Sequence, residues 1–256
     1  MKLSWSILFF ILGGILILSL SSCFNSQRYQ PYYSWSDLEI DSTIQRSAAI
    51  EEIISPYRMR LDSIMDEVIG HATHDLTAAA EYESTLGTFV TKLLLKQSTA
   101  AYNTEVDVAL MNHRGGLRAP INQGGITLGD IFEVMPFENE MVLIDLTGEQ
   151  LLSVIDLVAN GGRSMIWPVN YTATPDGPKD ISLNGSAIVP TKNYVLTVSD
   201  YMANGGSGFH ILSNLPRHDT KGVYLRDMII TEVRELTAAG KQVEQDIMNT
   251  VTIPTP

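Results

Sequence analysis

Between Asp41 and the C-terminus, stretches of helical periodicity and short apolar runs follow one another irregularly. The regular strand–helix–strand order of a wound parallel sheet is missing. Ile44, Ala48, Ile50, Ile53 and Ile54 recur every three to four residues, and Pro56 interrupts them. Leu61, Ile64, Met65, Val68 and Ile69 resume the stripe up to Gly70, which predicts a helical segment through to about Asp75. Leu86, Phe89, Val90, Leu93, Leu94 and Leu95 predict a second helix. VDVALMN, residues 106–112, reads as a short buried strand, and Asp130 falls in the first turn of a short helix in GDIFEVM. Met141 to Leu146 predicts another strand. Thr147-Gly148-Glu149-Gln150 then opens a helix bearing Leu151, Leu152, Ile155 and Val158, with Gly161-Gly162 at its end. Short strands are expected from Ile166 to Val189, with turns at Pro175-Asp176-Gly177 and Asn184-Gly185. Tyr194 to Ser199 is a strand, Tyr224 to Leu236 an amphipathic helix, and a short strand ends the chain. The order predicts an α+β fold: one domain, a mixed β-sheet with flanking helices, preceded by a helical lead-in.

The N-terminus constrains the compartment. MKLSWSILFFILGGILILSLSSC carries one Lys, a long apolar run and small residues near its end, the layout of an export signal. The run is also long enough to cross a bilayer, so an uncleaved anchor is the alternative. Leu20-Ser21-Ser22-Cys23 resembles the lipobox of a bacterial lipoprotein, and Cys23 is the only cysteine of the chain. An intramolecular disulfide is therefore excluded, and a lipid on Cys23 gives that residue a use. The expected organisation is a lipoprotein signal over 1–23, a tether over 24–40, a helical lead-in over 41–79 and a domain over 80–256. No acidic residue directly follows Cys23, so the expected location is the outer membrane, facing the periplasm. Acidic residues number 29 and basic ones 17, a formal net charge of −12. Such a balance argues against a nucleic-acid partner, whose phosphates need clustered Lys and Arg, but it permits one local basic spot.

Few residues offer catalytic chemistry. His71, His74 and Asp75 would share one face of a helix, yet no further metal ligand is near them in sequence. Asn112-His113-Arg114 suggests a metallophosphatase histidine, but a two-metal centre needs several carboxylates and histidines from separate loops. The only other histidines are His71, His74, His210 and His218, none in an Asp-x-His arrangement. There is no Gly-x-Ser-x-Gly elbow, and GGRS at 161–164 lacks the length and the Lys of a phosphate-cradling loop. No catalytic residue and no metal ligand is assigned. Binding chemistry remains. In NHRGGLRAPI, residues 112–121, two glycines lie between two arginines, so bare backbone amides and a guanidinium fork can approach an anion together. Phe137 stands in a loop without an apolar stripe to join, and is either core or a stacking plate.

Three segments carry a resemblance. GGLRAPINQGGITLGDIFEVMPFENEMVLIDLTGEQLL resembles the C-terminal domain of the 5'-nucleotidase family of periplasmic and cell-surface nucleotide hydrolases. YVLTVSDYMANGGSGF resembles that domain's second signature, and ESTLGTFVTKLL its opening helix, in consistent order from about residue 80 to about 235. The resemblance implies a nucleotide or nucleoside ligand whose base is sandwiched by two rings, here Phe137 and Tyr201. It places Arg118 as the arginine closing the first motif, and Asn204, Gly205 and Gly206 at the turn of the second. Ser207 stands where the family usually keeps the acid that grips the ribose. The arginine that often precedes the opening helix is absent at Ala80 and its neighbours, and Arg114 is the candidate to compensate. Asn112 lies one residue further from the glycines than the family's Asn-x-Gly-Gly pattern, with His113 at the expected place.

Complete enzymes of the family carry a two-metal metallophosphatase domain before this one. The resemblance therefore implies the nucleotide-binding half of a 5'-nucleotidase-type hydrolase. Divalent metals are expected only in a separately encoded metallophosphatase chain, which would dock against the helical lead-in or the Arg118 face. The alternative is a binding or scaffolding lipoprotein that has drifted from nucleotides, motivated by Ser207 and the missing arginine.

Overall fold

The computed structural model describes Asp37, Asp41 and residues 44–254. The signal, lipobox and most of the expected tether lie outside the described residues. The chain divides into two compact units, Met1–Glu51 and Glu52–Pro256. Helix α1 spans Ala48–Met65, and none of its side chains is buried. The second unit contains three sheets. Strands β1 (Val68–Ala72) and β3 (Gly124–Thr127) form an antiparallel pair. The central sheet has the order β4 (Met141–Thr147), β8 (Asn193–Ser199), β2 (Val108–Met111), β5 (Met165–Trp167). A third sheet has the order β7 (Lys179–Leu183), β6 (Val169–Thr172), β9 (Val251–Thr252). Helices α2 (Thr85–Tyr102), α3 (Leu128–Val134), α4 (Gly148–Gly161), α5 (Asp200–Ala203) and α6 (Leu225–Ala238) complete the fold. The expected α+β mixed sheet with flanking helices is what forms.

The central sheet is buried on both faces because alternate side chains of a strand point to opposite sides. In β2, Val108 and Leu110 join one apolar cluster, with Leu151, Ile155 and Val158 of α4. Ala109 and Met111 join the other, with Leu86, Val90 and Leu94 of α2 and Met228, Ile229 and Val233 of α6. Local chemistry fixes the helix starts. Thr127 and Thr147 each make a reciprocal capping box, with Asp130 and Gln150 respectively, and Gly162 closes α4 in the left-handed conformation at φ 55°.

Two expectations of the N-terminal reading change. Pro56 lies inside α1 rather than interrupting it. The helix ends at Met65, and residues 68–72 form β1 instead of continuing it. Val68 and Ile69 suit a strand as well as a helix, and a partner strand far along the chain, at residues 124–127, decides between the two. Gly70 lets β1 lie against α6, since a Cβ there would sit 2.5 Å from Val233 Cγ1. His71 is thus on a strand and His74 in the bend after it, so they share no helix face.

Candidate ligand-binding site

Four strand ends converge at one edge of the central sheet. β2 and β8 are parallel, with Val108 opposite Leu196, so the segments that follow them leave at the same edge. β4 is antiparallel to β8, with Met141 opposite Ser199, and β5 is antiparallel to β2, with Met165 opposite Met111. The segments that precede β4 and β5 therefore arrive at that edge too. β2 delivers Asn112 and the tight turn His113–Gly116, and β8 delivers α5 with Tyr201 and then Gly205 to Ser207. Phe137 and Asn139 come in ahead of β4, and Arg163 ahead of β5.

Asn112, Arg114 to Gly116, Arg118, Phe137, Asn139, Arg163, Tyr201 and Ser207 line a cavity of about 560 Å³. Two rings face it with much of their surface uncovered: Phe137 is 42% exposed and Tyr201 51%. Arg114, Arg118 and Arg163 add three positive charges, and among the described residues no Asp or Glu lines the wall. The neighbouring acids are engaged elsewhere. Glu138 lies 3.7 Å from Arg226, and Glu140 accepts the Gly222 N–H at 2.8 Å. The Arg118 guanidinium donates to the Gly115 carbonyl at 3.3 Å and sits 5.9 Å from the centre of the Phe137 ring.

Bare backbone is needed at two of the glycines. A Cβ on Gly116 would come within 2.5 Å of Asn112 Oδ1. A Cβ on Gly206 would lie 2.5 Å from the Tyr201 carbonyl oxygen and 2.6 Å from its ring. Ser207 adopts the left-handed region at φ 55°, which an L residue enters at a cost of about 1 kcal/mol or more. Hydrogen bonds hold it there: its N–H donates to Tyr201 Oη at 3.3 Å, and its Oγ accepts from Asn112 Nδ2 at 3.2 Å. Asn112, Ser207 and Tyr201 thus form one polar chain along the wall, with the Ser207 hydroxyl proton free to donate.

Asn204 is placed differently from the two rings. Its Oδ1 accepts from Arg217 Nη1 at 2.9 Å, while Arg217 Nη2 donates to the Ala203 carbonyl at 2.5 Å. Neither Asn204 nor the Gly205–Gly206 pair lines the cavity; the glycines shape the turn that presents Tyr201 and Ser207. Arg217 clamps that turn from outside. Arg217→Ala is expected to speed hydrogen exchange at the amides of 203–208 severalfold, with the global free energy of unfolding changed by less than about 1 kcal/mol. Unchanged exchange there would show that the turn holds itself.

His113 points away from the cavity into the core. It is fully buried, and its Nδ1 is 2.9 Å from Ser84 Oγ, the N-cap of α2 that accepts the Gly87 N–H. Nε2 makes no hydrogen bond. Burial, and then the Arg114 charge, hold its pKa down at about 4, and the nearby Glu81 carbonyl opposes this without completing a hydrogen bond of proper geometry. Among the described residues no group of three or more His, Cys, Asp or Glu is placed to hold a metal ion. The side chains present do not fit a two-metal centre.

Arg163 and Asn139 belong to the cavity and were not legible as such. Arg163 sits in the GGRS segment, whose only evident signal was a failed phosphate-loop pattern. Asn139 shares the alternation of Phe137, two residues earlier.

An α+β domain with an open cleft of rings and arginines at its central strand ends is the class that this fold and site define. Residues 68–214 match the 5'-nucleotidase C-terminal domain, and the chain belongs to that family. It is 26% identical over 232 residues to the trifunctional nucleotide phosphoesterase protein YfkN of Bacillus subtilis, covering 83% of this chain and 16% of that protein. It is 25% identical over 192 residues to a 5'-nucleotidase of Vibrio vulnificus, covering 72% of this chain and 34% of that one. The crystal structure of a 5'-nucleotidase precursor from Thermus thermophilus superposes with a TM-score of 0.67 at 26% identity, over 80% of this chain and 43% of that one. A putative 5'-nucleotidase from Staphylococcus aureus shares the fold with a TM-score of 0.65 at 17% identity, over 84% and 46% of the two chains. The chain spans about a third or less of the length of the two curated relatives.

Proposed function

We propose that this chain is the nucleotide-binding part of a 5'-nucleotidase-type hydrolase, tethered to a bacterial membrane through a lipid on Cys23. In this reading it lies at the outer membrane, facing the periplasm. The observation that carries it is the cavity itself: two half-uncovered rings and three arginines meet, and no carboxylate among the described residues joins them. Exposed ring faces suit a flat base, which stacks on them in offset or edge-on geometry. Guanidinium forks suit phosphate oxygens. The Asn112–Ser207 pair offers neutral donors and acceptors for sugar hydroxyls. Family membership and the likeness to the Thermus 5'-nucleotidase support the same ligand class. The described residues offer no metal centre, so the hydrolytic step would belong to a metallophosphatase module, which we place on a separate chain.

The test is calorimetry on the full chain in detergent, with adenosine and AMP as probes. AMP is expected to bind more tightly than adenosine. Phe137→Ala and Tyr201→Ala should each weaken both ligands by about 1 kcal/mol or somewhat more. Arg118→Ala should weaken AMP more than adenosine; equal losses would remove Arg118 from the phosphate. A second reading, a scaffold that no longer binds nucleotides, draws on Ser207 standing where the family usually keeps an acid. Absence of binding that neither ring substitution alters would favour it. For the partner, turnover of AMP by this chain alone with divalent metal, abolished by chelator, would overturn the two-chain reading.

A further inference from the structure

Helix α1 carries a row of large apolar side chains that stays open to solvent. None of its 18 residues is buried, and none joins an apolar cluster of the domain. Ile50 is 58% exposed, Tyr57 75% and Leu61 52%. Ile50, Ile54, Tyr57, Leu61 and Ile64 follow one another at intervals of 4, 3, 4 and 3 residues. A repeat of about 3.5 residues is that of a coiled-coil seam, which a second helix covers. The opposite side carries Glu52, Ser55, Asp62 and Ser63, with Met59 its one large apolar residue. Pro56 also falls away from the seam, and so does the hydrogen bond that its missing N–H removes.

Charge selects what covers the seam. A helix that lies on a membrane is rich in Lys and Arg on its polar side, whereas α1 sets Glu51, Glu52 and Asp62 against Arg58 and Arg60. Glu51 and Arg58 flank the seam on one side, Ile53 and Arg60 on the other. Two copies packed antiparallel about a two-fold axis between residues 55 and 56 stack Ile50 on Leu61 and Ile54 on Tyr57, each layer occurring twice. Glu51 of each copy then faces Arg58 of the other. The apolar stem of Arg60 lies over Ile53, which is 68% exposed in the single chain. A slide of one heptad toward the C-terminus keeps apolar layers but sets Arg58 against Arg58 and Arg60 against Arg60. The opposite slide sets Glu51 against Glu51 and opposes Tyr57 to Ser47. In a parallel pair Arg58 faces Ile53 and Arg60 faces Met65, so no attraction arises within the helix. Glu51 also lies 3.9 Å from Arg46 of its own chain, and the pairing across the seam adds to that contact.

We propose that α1 is a self-association surface: two copies of this chain pair through it as a short antiparallel coiled coil, with Glu51 of each facing Arg58 of the other. The inference is independent of the nucleotide reading. It gives this face to a second copy and sends the metallophosphatase chain to another surface.

Sedimentation equilibrium of the full chain in density-matched detergent tests it, and a reversible monomer–dimer equilibrium is expected. Neither Glu51 nor Arg58 is buried, so their charges can be exchanged without disturbing a core. Glu51→Arg and Arg58→Glu should each raise the dissociation constant about tenfold, because each turns two attractions into two repulsions. The double variant should return to the parent value, and an equimolar mixture of the two single variants should form a heterodimer of parent-like affinity. Leu61→Glu puts two carboxylates in the seam and should leave the chain monomeric. A parent chain that is monomeric throughout would overturn the proposal and leave the face to a different chain. A dimer that survives Leu61→Glu would overturn it by placing the association on another surface. A dimer lost in Leu61→Glu but indifferent to the charge exchanges would overturn the antiparallel register.

Discussion

Gly206→Ala is expected to weaken AMP binding by about tenfold, as much as removal of the Tyr201 ring, while the domain stays folded. The added methyl would meet the Tyr201 carbonyl oxygen at 2.5 Å and two atoms of the Tyr201 ring at 2.6 Å. The carbonyl belongs to α5, whose start is capped by Ser199, so the backbone has little freedom to retreat. The ring must move instead, and the Ser207 N–H that donates to Tyr201 Oη moves with it. Overpacking of this kind costs about 1–3 kcal/mol. If that cost falls on the placement of the ring, it appears as the stated loss of affinity. Gly161→Ala provides the control, because a Cβ there meets nothing within 4 Å at the end of α4. Calorimetry with AMP on both variants checks the prediction. Parent-like affinity for Gly206→Ala would mean that Tyr201 does not touch the ligand.

The second large effect concerns pH. His113 has its pKa depressed from 6.5 to about 4, so the folded state binds this proton less readily than the unfolded state does. Its contribution to stability is therefore complete above pH 6.5, declines as pH falls, and is lost once pH passes about 4. At about 1.4 kcal/mol per pH unit, the whole window amounts to about 3 kcal/mol. His113→Asn removes the titration. Denaturant unfolding of parent and variant at pH 7.5 and pH 4 should show the parent losing about 3 kcal/mol more than the variant over that interval. Parallel losses would assign the acid sensitivity to carboxylates elsewhere. Protonation also places a second positive charge beside Arg114, in the turn that follows Asn112.

Much of the architecture was legible because it is written in local patterns. The capping boxes at Thr127 and Thr147, the glycine stop at Gly162 and the apolar strands around β2, β4 and β8 each follow from neighbours within a few residues. Phe209 also behaves as its position after the turn suggests, and is buried. The N-terminal stripe was less legible. Val68 and Ile69 continue a helical spacing, but a strand partner at residues 124–127 takes them for a sheet. That pairing depends on contacts distant in sequence, which no local period reports.

The site divides in the same way. The sequence by itself determined the chemical types available: two rings, arginines flanking a glycine pair, a serine where an acid is usual, and too few metal ligands for a dinuclear centre. Only the tertiary structure decided which of them meet. Parallel pairing of β2 with β8, and antiparallel pairing of β4 and β5 on either side, sends four separate chain segments to one edge. That arrangement brings Arg163 and Asn139 to the wall, joins Asn112 to Ser207 across 95 residues of sequence, and gives Asn204 to Arg217 instead of to the cavity. It also turns His113 inward and Arg114 outward, although they are adjacent. Residue type follows from the chain alone, whereas side-chain direction follows from strand order and register, which are fixed by long-range packing.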